Sequence, residues 1–202
     1  MPLIKKIKEK NYTIGIWKIT SSEYDSNLCE KIHPDYHSNF LNYIMEKRRW
    51  EVYGTKLLFN ELISNNELTS KKGIPYIKDN EKHISITHTN DLVAMIIADY
   101  YCGIDIESQE RDASKIKHKF LNIRDFKNGD DKKEILKTWC MKEVLYKVKK
   151  EQKIMFNTHL FIQKKSSDFF GICQHPKFSF SCSLKIVNFE NYFLAFNTDY
   201  SQ

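Results

Sequence analysis

No stretch of this 202-residue chain is long and apolar enough to cross a membrane, since a spanning helix needs ~18 or more consecutive apolar residues. Its start, Met1-Pro2-Leu3-Ile4-Lys5-Lys6, also lacks the apolar core of a secretion signal, so a cytoplasmic protein is expected. No segment is polar or repetitive enough for disorder. The cysteines, Cys29, Cys102, Cys140, Cys173 and Cys182, are odd in number and widely separated. They make no close pair of the kind found in zinc sites or redox motifs, and read as reduced packing residues. Basic residues are not interleaved with stacking aromatics, so nothing marks a nucleic-acid surface.

What is present is a folding composition. Hydrophobic residues make up 41% and aromatics 13%, enough to bury a core as one domain or as two small halves in contact. The formal charge of +6 favours anionic partners without choosing among nucleic acid, phosphorylated ligands and acidic proteins.

Tyr12 to Ile19 alternates and predicts a strand, with Thr20-Ser21-Ser22 as a cap for the next element. From about Asn39 to Ile63 apolar residues recur at helical spacing (Leu41, Ile44, Met45, Val52, Leu57, Leu58, Leu62), which predicts one long helix or two abutting ones. Lys47, Arg48 and Arg49 lie inside it, and a solvated helix face accounts for them on spacing alone. Gly73-Ile74-Pro75-Tyr76-Ile77 predicts a turn and then an extended piece, because Pro75 drives its predecessor out of the helical region. His83 to Asn90 predicts a short strand ending in hydroxyls, a histidine and an Asn-Asp turn. Such a cluster either holds an anion or caps a turn.

Ala94 to Cys102 reads as a strand near the core, continuing into Gly103-Ile104-Asp105-Ile106-Glu107. Ala113 to Leu121 predicts a short basic helix, and a polar loop around Gly129-Asp130-Asp131 comes after it. Lys132 to Lys150 predicts a strong helix with Leu136, Cys140, Val144 and Val148 as its buried stripe. His159 to Phe161, Phe169 to Ile172, Phe178 to Leu184 and Tyr192 to Phe196 read as antiparallel strands. Strands and a long helix recur in each half, with Trp50 and Trp139 in corresponding helices, so a duplication is a candidate.

Along a strand, Asp105 and Glu107 share a face roughly 7 Å apart, with Ile104 and Ile106 on the other. Two like charges on one short edge call for a lysine or arginine, a divalent cation, or simply water. At about 100° per residue, Glu143 and Lys147 fall next to Leu136 and Cys140, beside the buried stripe. On a surface helix that pair is worth only ~0.3 to 0.5 kcal/mol. Burying it without compensation costs several kcal/mol, so its phase suggests that it lines a cleft. Three carboxylates with room for water and phosphate oxygens describe a Mg²⁺ site better than a zinc site, with Lys142 and Lys147 as cations for the same phosphates. The residues point to a metal-dependent enzyme acting on a phosphate or pyrophosphate ester.

Gly103-Ile104-Asp105-Ile106-Glu107, joined after a basic helix by Trp139-Cys140-Met141-Lys142-Glu143-Val144-Leu145-Tyr146-Lys147, resembles the signature of 4'-phosphopantetheinyl transferases. That signature is G-I-D, a spacer of a few tens of residues, then W-x-x-K-E-x-x-x-K. The spacer is on the short side here, which implies a trimmed loop. Gly73-Ile74-Pro75-Tyr76 is similar to the G-K-P-x segment of the larger, Sfp-like branch, and Ile84-Ser85-Ile86-Thr87-His88-Thr89 to its S-x-S-H-(S/T) segment. Thr87 stands where that branch has serine, and Ile74 where it has a lysine or arginine. The likeness spans roughly residues 45 to 150. It implies an α+β fold of two similar α/β halves (1–100 and 101–202) related by a pseudo-two-fold, with antiparallel sheets packed with helices, the active site between the halves, most of the metal site in the second, and a monomeric state.

The implied activity is transfer of the 4'-phosphopantetheine arm of coenzyme A to a serine of an apo acyl or peptidyl carrier protein, releasing adenosine 3',5'-bisphosphate. By the resemblance Asp105, Glu107 and Glu143 hold Mg²⁺ or Mn²⁺, Lys142 and Lys147 meet the pyrophosphate, and His88 with Thr87 meets the 3'-phosphate. Pro75 and Tyr76 border the adenine, and Lys47, Arg48 and Arg49 are further candidates for the nucleotide phosphates. Glu143 is the first choice of base for the serine proton, with Asp105 and Lys147 completing the catalytic set. The basic segments Lys115 to Lys119 and Lys132 to Lys153 would attract a carrier's acidic helix. The rivals are a relative that binds coenzyme A or a carrier without transferring anything, and a basic nucleic-acid-binding domain, for which salt-sensitive duplex binding in EDTA would speak.

Overall fold

Side-chain alternation shows first in β1 (Leu3–Lys8) and β2 (Tyr12–Lys18), which pair antiparallel with Ile7 opposite Ile14. The computed structural model describes residues 3–19, 46–125, 131–149 and 153–202. The cap predicted at Thr20-Ser21-Ser22, the stretch of helix predicted from Asn39 up to residue 45, and Gly129-Asp130 lie outside the described residues.

Helix α1 (Glu46–Leu62) buries Tyr53, Leu58 and Phe59. A hairpin comes next, β3 (Leu68–Lys71) and β4 (Ile74–Ile77), closed by Lys72-Gly73 with φ of 53° and 78°. Left-handed backbone at both positions is what a tight two-residue hairpin loop requires, and Gly73 adopts it without a Cβ penalty. A second hairpin, β5 (His83–Thr89) and β6 (Leu92–Ala98), turns at Asn90-Asp91, as the sequence predicts. These strands form a sheet in the order β1-β2-β6-β5.

Every residue of β6 is buried, because both of its faces are covered. Val93, Met95 and Ile97 pack with Leu58 and Phe59 of α1. Leu92, Ala94, Ile96 and Ala98 join Ile104, Ile106, Leu194 and Phe196 from a second sheet. Each fully buried Val, Leu, Ile, Phe or Met among them contributes about 1.5–3 kcal/mol.

The acidic pentapeptide is not the end of β6, contrary to the expectation from its propensities. It forms a separate strand, β7 (Ile104–Ser108), at the edge of the second sheet. The chain changes sheets through Asp99 to Gly103, where Asp99 and Tyr101 are exposed and Asn197 pins the crossing. The Asn197 side chain accepts from the Gly103 amide at 2.7 Å and donates to the Tyr101 carbonyl at 3.0 Å. A Cβ on Gly103 would overlap the Val144 carbonyl, so only glycine lets β7 start against the helix beside it.

Beyond β7 the predicted basic helix exists as a 3₁₀ turn (Ala113–Ile116) running into one turn of α2 (Lys117–Phe120). Helix α3 (Lys132–Lys149) is next, with Leu136, Cys140, Val144 and Val148 all buried. After α4 (Phe156–His159) come β8 (Leu160–Lys165), β9 (Asp168–His175), β10 (Phe178–Phe189) and β11 (Tyr192–Asn197). The second sheet runs β7-β11-β10-β9-β8, with α3 over Phe193, Ala195, Cys173 and Cys182. The molecule is mixed α+β, mostly antiparallel sheet with a few helices. Among the described residues no helix is long and apolar enough to cross a membrane.

Candidate active site

Where β7 passes under α3, Asp105 is 4% exposed. Its Oδ1 accepts from Lys147 Nζ at 2.7 Å and from the Thr87 hydroxyl of β5 at 3.0 Å. Lys147 also donates to the Ile104 carbonyl at 2.9 Å. The second oxygen, Oδ2, is buried and has no hydrogen-bond partner among the described residues. An acceptor orphaned in this way costs free energy unless something positive meets it.

Glu107, two residues on, accepts from the Trp139 indole at 3.2 Å and from the Arg111 guanidinium. Burial pushes its carboxyl above the ordinary carboxylate range, and the Asp105 charge adds to that against the opposing pull of Arg111. Glu143 lies one turn before Lys147 on α3. Burial, then the charges of Asp105 and Glu107, push it up to about 7, with Lys147 and Arg111 opposing. Glu107 and Glu143 therefore both feel the charge of Asp105, and Glu143 that of Glu107 as well.

They do not yet close on one point. Among the described residues no three His, Cys, Asp or Glu side chains form a ready metal cluster, because Glu107 is drawn to Arg111 and Asp105 to Lys147. The donor set nevertheless fits a hard divalent cation: all-oxygen ligands, excess negative charge, and the unpartnered Oδ2 of Asp105.

His88, facing α1, sits 2.8 Å from the Thr55 hydroxyl. That hydroxyl also lies 2.7 Å from the Glu51 carbonyl, so the ring is held against α1. Burial pushes His88 down to about 4; Arg48 and Lys147 add to this and Glu51 opposes it. The imidazole predicted to meet a phosphate is thus neutral near pH 7, with its Nε2 engaged by Thr55. On α1, the charge of Arg48 acts on His88, and Arg48 also pairs with Glu51 at 2.8 Å. Lys47 is exposed and Arg49 half-buried on the same turn. Thr87 supports Asp105 instead of facing an open phosphate position.

Lys142 is a correction. It does not reach the cleft with Lys147; it is 0% exposed and donates to Asp125 at 2.6 Å, to the Phe120 carbonyl at 2.6 Å and to the Phe156 carbonyl at 3.2 Å. All three contacts lie on the side of α3 away from Lys147 Nζ, which meets Asp105 and the Ile104 carbonyl. Asp125 also accepts the amides of Asn122 at 2.7 Å and Ile162 at 2.9 Å. The pair ties α3 to the segment after α2 and to β8.

Beside Lys147 a cleft of about 200 Å³ opens between β4, β5 and the C-terminal turns of α3, lined in part by Pro75, Tyr76, His83, Tyr101, Lys147 and Lys149. Pro75 and Tyr76 are where the resemblance expects a base to lie. From His83 to Thr87 the strand rises ~13 Å, so the cleft and the acidic group occupy two ends of one track with Lys147 between them. Arg111, Tyr101 and Lys149 belong to this site without being singled out by the sequence. Arg111 and Tyr101 sit in irregular backbone, where no period marks them, and Lys149 looks like any solvated residue at a helix end. Comparison with protein-family models gives no match for the chain, and comparison with curated proteins gives none either.

Proposed function

We propose that the protein transfers the 4'-phosphopantetheine arm of coenzyme A to a serine of an acyl or peptidyl carrier protein, with a divalent metal. One observation carries the reading: an orphaned, buried Asp105 oxygen lies where two more carboxylates and a lysine share one electrostatic neighbourhood, and that lysine, Lys147, also lines a cleft with aromatic walls. Supporting it at larger scale, each antiparallel sheet is covered by one long helix, in keeping with two similar halves, 1–100 and 101–202, with the site between them.

Asp105, Glu107 and Glu143 would hold Mg²⁺, which when bound neutralises charge on the diphosphate. Lys147, freed from Asp105, meets the phosphate that leaves. The serine oxygen forms a bond to the phosphorus that carries the pantetheine arm, and the phosphorus–oxygen bond of the diphosphate breaks. Adenosine 3',5'-bisphosphate departs, and the serine proton passes to the Glu143 carboxylate. One contact favours a second reading, a relative that binds coenzyme A without transfer: Arg111 answers the charge of Glu107 that a metal would otherwise meet.

Incubation with coenzyme A, Mg²⁺ and a panel of apo carriers separates the two. A carrier mass gain of one phosphopantetheinyl group, lost in Asp105→Ala and Glu143→Gln, supports transfer. No gain on any carrier, with coenzyme A binding retained, establishes the binder.

A further inference from the structure

Two exposed tyrosines of the cleft lie outside the paired motif. Tyr101 is 43% exposed, its ring 4.2 Å from that of His83, and Tyr76 is 44% exposed on the β4 side of the same cleft. Three rings around one opening suit a flat base, because aromatic faces stack on bases of any sequence. Lys149 Nζ stands 5.0 Å from the centre of the Tyr101 ring and 5.9 Å from that of Phe178. Its charge is held over the cleft wall by rings. The other lysine at this end, Lys82, is already answered by Asp99 at 2.5 Å.

Resting on the reading above, which puts a diphosphate at Asp105 and Lys147, we infer that the purine of the nucleotide packs against Tyr101 and that Lys149 holds the phosphate on its ribose. The assignment replaces His88, whose Nε2 is engaged by the Thr55 hydroxyl at 2.8 Å. It makes Lys149 the residue that distinguishes a ribose-phosphorylated nucleotide from a plain one. Lys149 suits the task as a point charge at the end of a flexible stem, anchored by a ring yet free to exchange it for a phosphate.

The test is calorimetric titration, in EDTA, of adenosine 3',5'-bisphosphate and adenosine 5'-monophosphate into the wild type and into Lys149→Met, Tyr101→Leu and His88→Gln. Lys149→Met should weaken the bisphosphate about tenfold, the scale of one charge-assisted contact, and leave the monophosphate within about twofold. Tyr101→Leu should weaken both nucleotides alike. Equal weakening of both by Lys149→Met, or a preference for the bisphosphate that survives it and is lost in His88→Gln, overturns the inference and leaves the transfer reading standing. Binding of neither nucleotide by the wild type overturns both. A Lys149-dependent preference in a protein that modifies no carrier upholds the inference and removes the transfer reading.

Discussion

At the scale of single residues, Asp105 and Lys147 are unequal partners. The carboxylate is 5% exposed and the lysine 16%, so removing the lysine strands a buried charge, whereas removing the acid releases a cation that can swing into the cleft. Lys147→Met should cost about 3 kcal/mol in metal-free buffer, the low end for stripping one member from a buried pair, and Asp105→Asn distinctly less. Urea unfolding of the two variants in EDTA ranks them, and the opposite order would contradict that inequality. Glu143 gives a pH dependence whose sign comes from its shift. Its folded-state value, about 7, lies above the ordinary value of 4.5, so its contribution to stability is full below pH 4.5 and is lost as pH rises through 7. A divalent cation competes with that proton, so the gain in Tm on adding Mg²⁺ should be larger at pH 8 than at pH 6. Equal gains in a thermal-shift series would show that Glu143 is not a ligand. The four charged residues of this group were legible because strand and helix periods fix which way each points. Arg111 was not, since its effect on Glu107 depends on a bend after β7 that no alternation announces.

Elements meet here through close contact at defined points. The β7 strand begins against the Val144 carbonyl of α3, and Gly103→Ala places a methyl group inside that contact. Overpacking of this kind costs typically ~1–3 kcal/mol. Because β7 carries Asp105 and α3 carries Glu143, Gly103→Ala should lose stability and transfer together, measured by urea midpoint and by the carrier mass assay on the fraction still folded. Full activity in that fraction would mean that the spacing between the two elements is not critical. The helix stripe and the four C-terminal strands were readable from apolar period alone. The break between β6 and β7 was not, because Tyr100, Tyr101 and Cys102 have strand propensity, and the group that ends the strand is a side chain nearly a hundred residues away, Asn197. Lys142 was misplaced for a different reason. A shared motif names residue types, whereas the buried Asp125 that captures this lysine lies in a segment the motif does not mention.

For the molecule as a whole, the two sheets share a single apolar layer, in which Ile14, Ile16 and Ile96 of one meet Ile104, Ile106 and Leu194 of the other. Neither sheet keeps that face covered alone, so unfolding should be one cooperative event. Trp17 and Trp50 report on the first sheet and Trp139 on the second, so tryptophan fluorescence and far-ultraviolet circular dichroism should give coincident midpoints. Two separated transitions would show that the halves are independent. The contact between Lys147 and Asp105 has a consequence that reaches across the whole track. Whatever draws the lysine away leaves the acid seeking a cation, and whatever satisfies the acid releases the lysine to an anion. Divalent ion and diphosphate should therefore tighten each other's hold by the same factor, a reciprocity that thermodynamics imposes on any two ligands sharing one exchangeable bond.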